Sequence, residues 1–369
     1  MTKSYVIGVP NGYGVSPQVT TDAIKVLRQR FGTRLLRRHL EPEPTEAPRM
    51  YRRLWQALTA LMPILSGSEM TDSTRAAIVT GANSGLGLEC ARALLATDPS
   101  WHVVLAVRDP QRGAAAVQRL GAEQRCTVMQ LDLASLASVR GFIDNSRAGA
   151  LPPIQAVICN AGVQVVSGVQ STADGHEMTF GVNHLGHFAL VCGLLDTLHA
   201  ARIVVVSSGT HDPARFTGMP HPRYTSGAAL ARPPGDLTAE EGRRRYTTSK
   251  LCNLLFCYEL DRRLDYGAQG MTVNAFDPGL MPGSGLGRDY SPLQRFAWHY
   301  VLPALRVLPG VNSTRTSGRH LAALAADPRY DGVTGMYFQG NKPALSSADS
   351  YDIDRARELW TSSAQLLAD

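Results

Sequence analysis

Residues 76–79, Ala-Ala-Ile-Val, run directly into Thr80-Gly-Ala-Asn-Ser-Gly-Leu-Gly87, and an apolar-periodic stretch follows over residues 88–96. A short apolar run bounded by turn residues predicts a strand buried on both faces. Gly81, Gly85 and Gly87 let the main chain turn tightly after that strand and let another group lie close against it. A strand that reverses through glycines into a helix is the opening half of a βαβ unit, because parallel strands need a crossover to lie side by side. That unit points to an α/β fold, a doubly wound parallel sheet of the Rossmann type.

The alternation continues along the chain. Strands are expected at residues 103–107, 127–131, 156–159, 202–206 and 271–276, with helices at 111–121, from about 135, and over 178–195. Residues 75–369 therefore form the catalytic domain, with substrate loops at about 209–245 and 280–312. Residues 1–74 have a different pattern and form an N-terminal extension: a strand, a helix, the Pro-rich linker at 41–48, and an amphipathic helix at 50–65. That last helix is expected to pack on the main domain, the other reading being peripheral contact with a membrane or partner. Met70 offers an alternative translation start.

Free N–H groups and a positive dipole end at the start of the first helix suit a pyrophosphate, which assigns Gly81, Asn83, Ser84, Gly85, Leu86 and Gly87 to a dinucleotide. The next strand ends at Arg108-Asp109. An arginine there accommodates a 2′-phosphate and an acid there grips the ribose, so Arg108 argues for NADP(H) while Asp109 leaves open which side chain faces the sugar. Asp132 and Leu133, at the carboxyl end of the third strand, are expected near the adenine, with Asp132 alternatively a helix cap. Asn160-Ala161-Gly162 ends the fourth strand with small residues against which a cofactor can lie.

Tyr246 and Lys250 stand four residues apart and share one helix face. A phenol titrates near ~10 and is a poor acid at neutral pH, but a neighbouring ammonium favours the phenolate and brings it toward the working range. Ser208 follows a strand and can hydrogen-bond a substrate carbonyl. These residues favour an enzyme over a non-catalytic NADP-binding scaffold, which has no use for all three.

Other classes are excluded. The net charge of +6 is dispersed, with no basic patch interleaved with aromatics, so no nucleic acid is expected. His184 and His187 have no spaced carboxylate or cysteine and read as packing residues, with no metal. The six cysteines lack CxxC pairing and fit buried thiols in a reducing, cytoplasmic setting. No signal peptide or transmembrane span is evident, since no stretch reaches ~18 uninterrupted apolar residues.

Taken together, Thr80-Gly-x-x-x-Gly-x-Gly87, Asn160-Ala-Gly162, Asn183, Ser208, Tyr246-x-x-x-Lys250 and Pro278-Gly279 resemble the short-chain dehydrogenase/reductase superfamily from about residue 75 to the end. The resemblance implies Tyr246 as proton donor, Lys250 lowering its pKa and binding the nicotinamide ribose, Ser208 orienting the carbonyl, Asn183 supporting a water-linked proton relay, and Pro278 and Gly279 against the cofactor. Asn83-Ser-Gly-Leu-Gly87, Asn183-His-Leu-Gly-His-Phe188 and Ser249-Lys-Leu-Cys-Asn253 are similar to the branch holding retinol dehydrogenases and light-dependent protochlorophyllide oxidoreductases. The tail, with Gly335-Met-Tyr-Phe338 and Ala356-Arg-Glu-Leu-Trp360, resembles the photoenzymes more closely. Leu280, however, stands where they carry a cysteine after Pro-Gly. The implied activity is dark, NADPH-dependent reduction of a carbonyl, or oxidation of an alcohol, on a sizeable apolar small molecule. A light-dependent C=C reductase is the alternative. Homo-oligomers are common in the family.

Overall fold

The computed structural model describes residues 75–149, 151–233, 238–264, 270–281 and 312–368. Contacts divide the chain into two units, Met1–Ser68 and Glu69–Asp369, and all described residues belong to the second. The elements expected before residue 75, Met70, and most of the 280–312 loop lie outside the described residues.

Eight strands form one sheet: β1 (Arg75–Thr80), β2 (Trp101–Val107), β3 (Cys126–Gln130), β4 (Ile154–Cys159), β5 (Arg202–Val206), β6 (Thr272–Asp277), β7 (Met336–Gln339) and β8 (Lys342–Ala344). Their order is β3-β2-β1-β4-β5-β6-β7-β8. All neighbours pair in parallel except β8, which returns antiparallel to β7. Chain order reverses between β1 and β4, and ligands of open α/β sheets bind outside the carboxyl ends at such a switch point.

Ile78, Val157, Ile203 and Val273 have no exposed surface, as befits strands covered on both faces. The covering helices are α1 (Gly85–Thr97), α2 (Pro110–Leu120), α3 (Leu136–Ala148), α4 (Met178–Thr197), α5 (Ala239–Arg263), α6 (Thr314–Ala326) and α7 (Ile353–Ala368). Local chemistry starts several of them: Asp109 caps α2, Ser135 caps α3, Thr238 caps α5 and Ser313 caps α6, each side chain accepting from main-chain N–H groups of the first turn. Gly121 ends α2 in the left-handed region at φ 62°. Helix α4 is long and apolar enough to cross a membrane, but 72% of its apolar window is buried inside the protein, where its Phe188, Leu190, Val191 and Leu194 join the core.

Three differences from the sequence reading have physical causes. The middle of α4, Gly181–Leu185, widens into a π-turn, a feature that apolar periodicity does not encode. The 209–245 stretch is not loop throughout: a helical turn forms over Gly227–Ala231 with Ser226 as cap, and α5 already begins at Ala239. Asp132 is not the cap of α3, because Ser135 takes that position and Asp132 Oδ1 instead accepts from Ala134 N at 3.0 Å in a tight turn.

Candidate active site

The glycine turn and the end of β4 are joined by the side chain of Thr80. Its Oγ1 accepts from Asn160 N and Ala161 N, both at 2.9 Å, and lies 2.9 Å from His187 Nε2. His187 Nδ1 lies 3.2 Å from the Asn183 carbonyl, which can only accept, so Nδ1 carries the proton, and the bare Nε2 and the Ile158 carbonyl, 3.3 Å away, share the Thr80 hydroxyl as acceptors. Burial pushes His187 down to about 4, which keeps that neutral tautomer at physiological pH. Asn160 Nδ2 completes the junction by donating to Thr80 O at 2.8 Å.

This junction leaves no room for a side chain at Gly87. A Cβ on Gly87 would lie 2.6 Å from Asn160 Nδ2 and 2.7 Å from Gly81 O. Gly81 and Gly85 hold φ of 67° and 58°, a region that β-carbons disfavour. Ser84 is the N-cap of α1 but makes no side-chain cap bond, so the first N–H groups of α1 receive no bond from that hydroxyl. A glycine-walled turn at a helix N-terminus fits a pyrophosphate. Asn83 is braced from α2 by Arg119, whose guanidinium donates to its carbonyl at 2.6 Å.

At the end of β2, the Asp109 carboxylate is committed to α2: Oδ1 accepts from Gln111 N at 3.0 Å and Arg112 N at 3.2 Å, and Oδ2 pairs with Arg112 at 3.4 Å. Arg108 is exposed beside it. Leu133 is buried against α4, where a Cβ on Gly186 would lie 2.6 Å from its carbonyl oxygen.

Helix α5 is stitched to the end of β5. Lys250 Nζ donates to Val206 O at 3.2 Å, Asn253 Nδ2 donates to the same oxygen at 3.0 Å, and Ser207 Oγ donates to Lys250 O at 2.8 Å. Lys250 is 4% exposed, and burial lowers it to about 8 while Asp277 pulls the other way. Its Nζ stands 5.5 Å from the ring centre of Tyr246, which is itself buried. Ser208, two residues beyond Val206, accepts from Thr210 N at 3.3 Å and Thr210 Oγ1 at 3.2 Å. Both bonds are incoming, so the Ser208 hydroxyl keeps its own proton for another acceptor.

Asn183 sits in the π-turn, fully buried. Its Oδ1 accepts from Val163 N at 2.7 Å, and its Nδ2 donates to Val163 O and Ser249 Oγ, both at 2.9 Å. A Cβ on Gly162 would lie 3.3 Å from Asn183 Oδ1 and 3.7 Å from Lys250 Nζ, so the strand end, Asn183 and Lys250 converge. Beyond β6, Gly279 takes φ 76°, and the Pro278 carbonyl accepts from Asn312 Nδ2 at 3.0 Å and Ser317 Oγ at 2.7 Å. Thr80, Ser249 and Asn253 stand within motifs quoted from the sequence but carry no role there, His187 reads there as a packing residue, and Asp277 is not singled out; the fold places all five around the candidate site. Only their placement in or next to recognised motifs gave any signal.

The two histidines of α4 do not converge. His184 Nε2 lies 2.9 Å from Ser363 Oγ, amid Phe180, Phe188 and Phe256, while His187 faces Thr80. Among the described residues no group of histidine, cysteine and carboxylate side chains could hold a metal. The six cysteines are all free thiols.

A doubly wound sheet with a tyrosine and a buried lysine on the helix that flanks its carboxyl ends defines an α/β oxidoreductase. The sequence profile of the short chain dehydrogenases matches residues 75–220. The chain is 36% identical over 316 residues to protochlorophyllide reductase A of Oryza sativa subsp. japonica, covering 79% of this chain and 80% of that one. It is 35% identical over 317 residues to protochlorophyllide reductase of Avena sativa, covering 79% and 98%. A crystal structure of an uncharacterised protein from Mycobacterium paratuberculosis superposes with a TM-score of 0.58 at 30% identity, covering 81% of this chain and 95% of that chain. The chain belongs to the short-chain dehydrogenase family and is an oxidoreductase.

Proposed function

We propose that the protein uses NADP(H) to reduce a carbonyl, or to oxidise the matching alcohol, on a sizeable apolar small molecule, with Tyr246 as the general acid/base. The observation that carries this reading is the buried Lys250 ammonium 5.5 Å from the Tyr246 ring, on one helix face at the carboxyl edge of the sheet. A positive charge in a site shielded from water stabilises the phenolate strongly, which makes Tyr246 a better proton donor near neutral pH.

Gly81, Asn83, Ser84, Gly85, Leu86 and Gly87 would receive the pyrophosphate at the start of α1. Arg108 would meet the 2′-phosphate, and Asp132 and Leu133 would border the adenine. Asn160, Ala161 and Gly162, with Pro278 and Gly279, would line the nicotinamide end beside Tyr246 and Lys250. When bound, NADPH supplies the hydride. As the substrate oxygen gathers negative charge, Ser208 donates its free O–H to it and Tyr246 delivers the proton. Asn183 holds residue 163 and Ser249, and through them the floor of the site, in register. The exposed apolar side chains of Leu280 and Phe216, in the two segments assigned to substrate, support an apolar ligand.

A second reading is favoured by the protochlorophyllide reductases among the relatives: addition of hydride and proton across a C=C bond under light. Leu280, standing where those enzymes carry a cysteine, weighs against it. NADPH oxidation in the dark with a panel of apolar aldehydes and ketones decides between them. Wild type should turn over and Tyr246→Phe should lose roughly 100-fold or more in kcat. Equal rates for both would sink the mechanism. Absence of dark turnover, with protochlorophyllide consumed only on illumination, would install the second reading. Binding of NADPH without turnover under either condition would leave a scaffold.

A further inference from the structure

The carboxyl end of β6 carries a buried acid next to the strand end that holds Lys250. Asp277 is the last residue of β6 and is 2% exposed. Its neighbour Phe276 pairs with Val206, the residue whose carbonyl receives Lys250 Nζ, and the Phe276 carbonyl accepts from Ser207 N at 2.7 Å. The Asp277 side chain is held by two donors, Gly279 N to Oδ1 at 2.9 Å and Tyr337 Oη to Oδ2 at 3.0 Å. A Cβ on Gly209, the residue after Ser208, would lie 3.1 Å from Oδ2. Both carboxylate oxygens accept, so the side chain is fixed in place between Gly209, Tyr337 and the Pro278-Gly279 turn.

We infer that Asp277 is a positioning residue of this site: its buried carboxylate keeps the Lys250 side chain in the ammonium form while also anchoring the Pro278-Gly279 turn. The inference rests on the reductase reading for its catalytic meaning. Burying an ammonium favours its neutral form, and a nearby anion opposes that. Lys250 shows both, pushed down by burial to about 8 and pulled up by Asp277. The other groups around the pair do not replace this charge. Tyr246 lies on the same helix, and His187, on α4, is held neutral by burial. Around Asp277 itself, burial pushes Tyr337 up and His211 down, so both stay uncharged. Asp212 and Arg215 pair with each other at 3.2 Å.

The test reads Lys250 directly. The chain has four lysines, Lys3, Lys25, Lys250 and Lys342, so isotope-labelled lysine side chains give a simple NMR spectrum in which Lys250→Arg removes one signal. In wild type that signal should titrate near 8. Asp277→Asn keeps the shape and an acceptor for Gly279 N but drops the charge, and should lower the midpoint by roughly one pH unit. Asp277→Glu, which restores the charge, should bring it back. Should Asp277→Asn fail to fold, Asp277→Ser tests the same loss of charge with less bulk. A second readout is kcat/KM for NADPH against pH, in which the alkaline limb should move to lower pH in Asp277→Asn. An unchanged Lys250 midpoint in the neutral variants, or an activity loss equal at every pH, overturns the inference. The NMR titration needs neither cofactor nor substrate, so the midpoint shift can stand even where wild type oxidises no NADPH and the functional reading fails.

Discussion

Arg108 and Asp109 show how a neighbour's commitments decide a residue's role. Sequence order leaves both side chains available to a ribose. The fold takes Asp109 away, since two N–H groups of α2 and Arg112 occupy its carboxylate, and leaves Arg108 exposed at the end of β2. A guanidinium meeting a phosphate forms charge-assisted bonds worth about 1.5–3 kcal/mol, or roughly 10–100-fold in affinity. Arg108→Ala should therefore weaken NADPH by about that factor and leave NADH nearly unchanged, as fluorescence titration of both cofactors would read. Equal weakening of both would remove Arg108 from 2′-phosphate recognition.

At the scale of elements, the β1–α1 turn depends on contacts from another strand. Thr80 at the end of β1 holds the end of β4, and Asn160 from β4 returns to Thr80 O, so turn and strand end form one hydrogen-bonded block. Gly87 lies against that block, where an added methyl would meet Gly81 O at 2.7 Å, a main-chain atom that cannot swing aside. Gly87→Ala should cost about 1–3 kcal/mol through overpacking, seen as a lower urea midpoint with an unchanged slope, and should weaken NADPH as well. Gly85→Ala is the contrast, because no atom lies within 4 Å of its would-be Cβ and its strain comes from φ 58° alone. The π-turn in α4 belongs to this scale too. It carries Asn183, whose amide reaches both residue 163 and Ser249, and thereby joins α4, the end of β4 and α5.

At the scale of the whole domain, the candidate site is assembled from chain segments far apart in sequence. The glycine turn follows β1, the small residues follow β4, Ser208 follows β5, the turn at Gly279 follows β6, and Tyr246 and Lys250 come from α5. A ligand that touches all of these must hold them together and stabilise the folded state by mass action. NADPH at ~100 times its dissociation constant adds about 2.7 kcal/mol. That should raise Tm by roughly 5 °C or more in differential scanning fluorimetry, with a smaller rise for NADH at the same concentration. No rise with either would count against the cofactor assignment.

The sequence by itself determined the class of fold and nominated the residues of a candidate site. Unbroken apolar strands, glycines at a strand end and a phenol four residues before an amine are local patterns, and their chemistry is written in adjacent residues. Only the tertiary structure decided which of Arg108 and Asp109 is unengaged, that His184 and His187 face different partners, and that Asp277 is buried against Tyr337 and the Gly279 turn. These facts depend on contacts such as Thr80 with His187, 107 residues apart, and Asp277 with Tyr337, 60 apart. A side chain's protonation and partners follow from what is packed around it, and packing between distant segments leaves no periodic trace along the chain.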